Sequence, residues 1–93
     1  MSDELKLSAI RSRGERARAL LDNELLKEAF ASLEAFYIDA WKTNARGAGP
    51  DGRERLWQAV QVLGDVRDHL EKMVSDGHLA EAELDALHPN HIR

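Results

Sequence analysis

Cysteine is absent from the 93 residues, and proline (two), glycine (six) and aromatic residues (five) are scarce. Without cysteine the chain is neither a disulfide-framed secreted module nor a thiolate zinc site, which fits a reducing compartment. Apolar runs are only a few residues long, far short of the roughly 20 needed to cross a bilayer, and residues 1–8 (MSDELKLS) hold no signal-peptide apolar segment. These absences predict a cytoplasmic protein with no membrane partner. A chain of this length forms one small domain that buries only roughly 60% of the surface its unfolded form exposes. Such chains are usually stabilised by disulfides, a metal or a partner, and association is the means left here.

Charge is unevenly spread within a formal net charge of −4. Residues 1–18 carry five bases (Lys6, Arg11, Arg13, Arg16, Arg18) against three acids, whereas residues 47–93 carry five against nine. An acidic body excludes a protein that wraps nucleic acid with its whole surface and leaves the N-terminal segment as the basic end.

Apolar residues recur at three- and four-residue steps through Leu26, Ala29, Phe30, Leu33, Phe36, Tyr37 and Ala40, which predicts an amphipathic helix over 24–44. Leu56, Ala59, Leu63, Val66, Leu70 and Met73 follow a heptad pattern, widened by Trp57, Val60 and Val74, and predict a second helix over 52–75. The turn between them is assigned to Gly47-Ala48-Gly49-Pro50-Asp51-Gly52, and Asp76-Gly77 is read as the C-terminal cap of the second helix. Gly64, inside that helix, is read as marking a close helix contact. A break at Asp22-Asn23, either of which can cap a helix starting at Glu24, favours a separate and less ordered N-terminal helix. Leu79, Ala80, Leu84 and Leu87 predict a weak third helix, with 88–93 as a tail. The expected fold is therefore all-α. A basic N-terminal arm or helix (1–22) precedes an antiparallel, coiled-coil-like helical hairpin (23–77), and a short C-terminal helix and tail (78–93) follow it.

The hairpin faces carry more bulk than one helix pair covers. Leu26, Phe30, Leu33, Phe36, Tyr37, Trp41, Leu56, Trp57, Val60, Leu63, Val66 and Leu70 are the candidate core and oligomer residues. Leaving several aromatic residues in water would forfeit several kcal/mol at roughly 25 cal/mol per Å². Further copies of the chain, closing into a bundle or ring, are the expected neighbours.

Arg11, Arg13, Arg16 and Arg18 fall within eight residues, and with Lys6 they are the candidate DNA contacts. At 100° per residue they surround the helix, an arrangement suited to phosphate contact and unsuited to reading bases. His88 and His91 stand three apart with Pro89 between them and no third ligand, so no metal or cofactor is expected. No nucleophile motif, phosphate-cradling loop or His-Glu-x-x-His occurs, and the interior stripes are apolar, so no catalytic residue is assigned and no enzyme is expected.

Residues 16–30 (RARALLDNELLKEAF), 37–43 (YIDAWKT) and 52–61 (GRERLWQAVQ) resemble the small terminase subunits of tailed bacteriophages, prophages and gene transfer agents, over about residues 11–87. The resemblance implies a ring of antiparallel helical hairpins, located in the bacterial host cell. It would engage double-stranded DNA at the start of genome packaging and regulate the large terminase subunit. Residues 1–22 are too short for the helix-turn-helix that many of these proteins carry, so DNA contact is expected to be weak and non-specific. The competing reading is a structural or regulatory hairpin adaptor that binds only proteins.

Overall fold

A computed structural model describes residues 2–43 and 49–88. Among these the chain is all-helical, with α1 at Ser2–Leu21, α2 at Glu24–Thr43 and α3 at Gly49–Leu87. Two compact units form, one from Met1–Asp22 with His69–Arg93 and the other from Asn23–Asp68, so α3 contributes to both.

The break between α1 and α2 follows local chemistry. Asp3 and Glu4 lie in the first turn of α1 and Arg18 in its last, each sign matching the helix dipole. The Asp22 N–H still donates to the Arg18 carbonyl at 2.9 Å, and the Arg18 guanidinium reaches the Asp22 carboxylate at 3.5 Å. Asn23 then caps α2: its Oδ1 accepts from the Leu26 N–H at 2.9 Å and its carbonyl from the Lys27 N–H at 3.0 Å. The separate N-terminal helix and the start at Glu24 are as the sequence predicts, but the less ordered arm expected over 1–22 is corrected: α1 is a full helix packed on α3, with Ala17 2% exposed. Asn44, the predicted end of that helix, lies outside the described residues.

The start of α3 differs from expectation. Gly49, Pro50, Asp51 and Gly52 belong to the helix and not to the turn, while Gly47 and Ala48 lie outside the described residues. Gly49 takes a φ of +66°, open to glycine without strain. Pro50 follows in the first turn, where its missing N–H costs nothing, and Asp51 matches the positive helix end.

The predicted end of the second helix and the separate third helix are both corrected. α3 continues through Asp76 and Gly77 to Leu87, and Gly77 is helical and buried. The reason lies in the opposing helix. A Cβ built on Gly14 would stand 2.8 Å from the Met73 carbonyl oxygen and 2.9 Å from the Gly77 Cα. One built on Gly77 would stand 3.0 Å from the Gly14 Cα. The two backbones meet where neither residue has a side chain, and Gly77 serves as a contact surface instead of a stop. Gly64 is the reverse case: a Cβ there would meet nothing within 4 Å, so the close contact expected at it is absent.

The first unit is an antiparallel pair. Gly14 touches Gly77, and Glu4 near the start of α1 reaches His88 at 3.2 Å between Oε2 and Nε2. Ala17, Val74, Ala80 and Leu84 are its buried apolar residues. Within the second unit α2 runs antiparallel to the N-terminal part of α3, as the hairpin reading requires. Trp41 and Trp57 meet with ring centroids 6.4 Å apart, and the Arg67 guanidinium lies 5.3 Å from the Phe30 ring. Arg53 stacks 4.6 Å from the Trp41 ring and donates its Nε–H to the Trp41 carbonyl at 3.1 Å. Ala40 is the buried apolar residue of this unit.

Candidate functional site

The five candidate basic residues sit on a packed helix. Arg11 is half-buried, and Lys6, Arg13, Arg16 and Arg18 are exposed. They do not converge. Arg11 and Arg18 line one groove of the first unit together with Glu15, His78 and Glu81. Arg13 lines a different groove with Lys72, Asp76 and Glu83, and Lys6 shares the adjoining one with Asp3 and Glu83. Carboxylates interleave with the bases in all three grooves, so the positive potential is locally offset. Arg18 is paired with Asp22, while Lys6, Arg11, Arg13 and Arg16 have no ion pair among the described residues.

The candidate core residues divide as well. Leu26, Phe30, Tyr37, Leu56, Val60, Leu63 and Leu70 are half-buried. Leu33, Phe36, Trp41, Trp57 and Val66 are between 37% and 51% exposed, so they are not core of this chain alone. Val66 turns outward although it occupies a heptad position, and Arg67 takes the half-buried place beside it, over Phe30. Sequence reasoning also missed apolar residues that open to water, among them Leu5, Leu25, Val62 and Leu79 at 73%, 73%, 56% and 67% exposure. What the sequence did signal was bulk in excess of one helix pair, and that excess is present.

No group of three or more His, Cys, Asp or Glu among the described residues is placed to hold a metal ion, and His91 lies outside them. No described helix is long and apolar enough to cross a membrane. Comparison with known proteins finds no matching family model, no matching curated protein and no matching solved structure.

Proposed function

We propose that the chain is an oligomerising helical adaptor of the small-terminase kind. In that role copies of the hairpin assemble, hold double-stranded DNA weakly through Lys6, Arg11, Arg13, Arg16 and Arg18, and regulate a large terminase subunit. The observation that carries the oligomeric part is the inverted distribution of bulk. Alanine makes up most of the buried apolar set, whereas leucine, valine and tryptophan side chains stand in water on all three helices. Covering such surface is the driving force for association. Sedimentation of the full chain tests this: a discrete species well above 10.5 kDa supports it, and a monomer at micromolar concentration overturns it.

The adaptor that binds only proteins is the second reading, and it is favoured by the interleaving of Glu15, Glu81, Asp76 and Glu83 among the bases. DNA binding decides between the two. Phosphate neutralisation makes affinity fall steeply with salt and vary little with sequence. One chain offers few charges, so measurable binding would come from many copies acting together. A variant with Arg11, Arg13, Arg16 and Arg18 all changed to Ala, at unchanged assembly mass, should lose low-salt binding. Equal binding by the two proteins, or none by either, selects the protein-only adaptor.

A further inference from the structure

The chain exposes 7120 Å², whereas a folded monomer of 10.5 kDa exposes about 5,400 Å². The surplus of roughly 1,700 Å² is about twice the area that one partner contributes to a standard interface, roughly 800 Å². One such contact covers half of the surplus, and two contacts per chain cover it all.

The second unit, whose buried apolar residue is Ala40, holds two faces that differ in relief. The half-buried Leu26, Phe30 and Tyr37 mark the side of α2 that meets α3, and Leu56, Leu63 and Arg67 mark the side of α3 that meets α2. Trp41 and Trp57 are displaced from those sides in the same sense, and they touch. Phe36, Val62 and Val66 are displaced in the opposite sense, by roughly 80–120° at 100° per residue, so the three share the other side of the pair. They are 51%, 56% and 46% exposed. On the tryptophan side of α2, Ala31, Ala35 and Ile38 line a groove of about 380 Å³, with Glu34, Asp39 and Lys42 at its rim. One face is raised by bulk and the other is hollowed by alanine. The two are also level, because the contacts of Trp41 with Trp57 and of Phe30 with Arg67 set a register in which Ala31 stands opposite Val66 and Ala35 opposite Val62.

We propose that the alanine groove of one copy seats on the Phe36, Val62 and Val66 face of the next, head to tail, so that every copy uses both faces. The proposal rests on the oligomeric reading above and names the faces that carry it. Area and shape select a second copy over a foreign partner. The surplus surface matches two contacts per chain, and a foreign partner on one face leaves half of it in water. Val62 and Val66 form a row four residues apart, as do Ala31 and Ala35, so the ridge of one copy fits the groove of the next. Valine then lies over alanine with no shift along the helices. A head-to-tail contact that turns without rising closes into a ring, and one that rises gives a filament. With neighbours on both flanks α2 becomes an interior helix, which accounts for apolar residues around so much of its circumference. Lys6 and the arginines of α1 belong to the first unit and stay outside the contact.

Sedimentation and native mass of the full-length chain, of Val62→Arg, of Ala35→Arg and of an equimolar mixture of the two variants test this. Both positions are exposed in the single chain, so each variant should keep its helical circular dichroism. Each should weaken association at least about tenfold, because every interface then takes an unpaired guanidinium into an apolar seam. The mixture should form one-to-one pairs and nothing larger, since only the intact face of one variant and the intact groove of the other can meet. A second pair, Val66→Lys and Ala31→Lys, repeats the measurement one turn along and decides it if an arginine variant loses its helix. Wild-type mass retained by either variant overturns the head-to-tail contact and leaves the oligomeric reading standing. Dissociation of both without pairing in the mixture overturns it as well. A monomeric wild type overturns both readings together.

Discussion

Replacing one glycine by alanine at three places on these helices should produce stability changes of opposite sign. Each position is inside a helix, where alanine is favoured over glycine by about 1 kcal/mol of intrinsic propensity. At Gly64 nothing opposes that gain, because the added methyl meets no atom within 4 Å. At Gly14 the methyl would stand 2.8 Å from the Met73 carbonyl oxygen and 2.9 Å from the Gly77 Cα. Both are backbone atoms, so no side chain can rotate aside and the helices must move apart. Overpacking of this kind costs typically 1–3 kcal/mol, which outweighs the propensity gain. Gly77→Ala is the milder case, with its nearest atoms at 3.0 and 3.4 Å. The expected order of stability is Gly64→Ala above wild type, then Gly77→Ala, then Gly14→Ala. Thermal unfolding followed by circular dichroism reads it, with about 1 kcal/mol corresponding to roughly 4–8 °C in a domain of this size. The four proteins must be compared at one concentration, since association raises apparent stability. A Gly14→Ala protein as stable as the wild type would refute the backbone contact, and a destabilised Gly64→Ala would refute the open position.

Three further outcomes follow from particular contacts. Asn23→Ala should cost about 1 kcal/mol through loss of the cap at Leu26 and Asn23→Asp should cost little, as urea denaturation of both variants would check. Changing Trp41 and Trp57 together to Ala should lower stability by roughly 2–4 kcal/mol, since each ring is only part-covered; a change under about 1 kcal/mol in the same assay would show that their contact contributes nothing. Residual low-salt DNA binding by the wild type should fall by orders of magnitude between roughly 50 and 200 mM salt if phosphates are its ligand, and a salt-independent titration would exclude that role for the α1 bases.

The second unit was legible because its signals are large and local. Aromatic and leucine periodicity places α2 and the first part of α3, whose antiparallel pairing brings Trp41 to Trp57. The end of α3 was misread for a definable reason. Asp76-Gly77 has the composition of a cap, yet the heptad of 56, 59, 63, 66, 70 and 73 continues without a break through 77, 80, 84 and 87. Gly77 falls on a contact position of that repeat, and the same spacing runs through Leu7, Ile10, Gly14, Ala17 and Leu21 in α1. A search for apolar bulk passes over both glycines, because a residue without a side chain contributes nothing to periodicity while permitting the closest approach. Val66 shows the opposite error: its heptad place suggests burial, but Arg67 beside it can stack on Phe30 and turns the contact face by one residue. The bases of α1 line different grooves of the first unit, and the acids that α3 brings beside them are distant in sequence and visible only in the fold.

Close approach and hydrophobic burial are supplied by different residues in this chain, and that separation bears on what the surface is for. At the glycine contact two helices meet backbone to backbone, which gives dense packing and dispersion contacts but removes little apolar area from water. Larger side chains such as Leu5, Leu25, Val62 and Leu79 are left outside. A monomer optimised for its own stability would place those leucines where Gly14 and Gly77 lie and accept a wider helix spacing. The observed arrangement fixes the register of α1 on α3 through shape, since a slip of even one residue drives a side chain into the opposing backbone. It thereby holds Arg13, Lys72, Asp76, Leu79 and Glu83 in constant relation along one groove. A surface whose apolar residues and charges keep fixed spacing can select a partner by register as well as by area, as the adaptor proposed above would require.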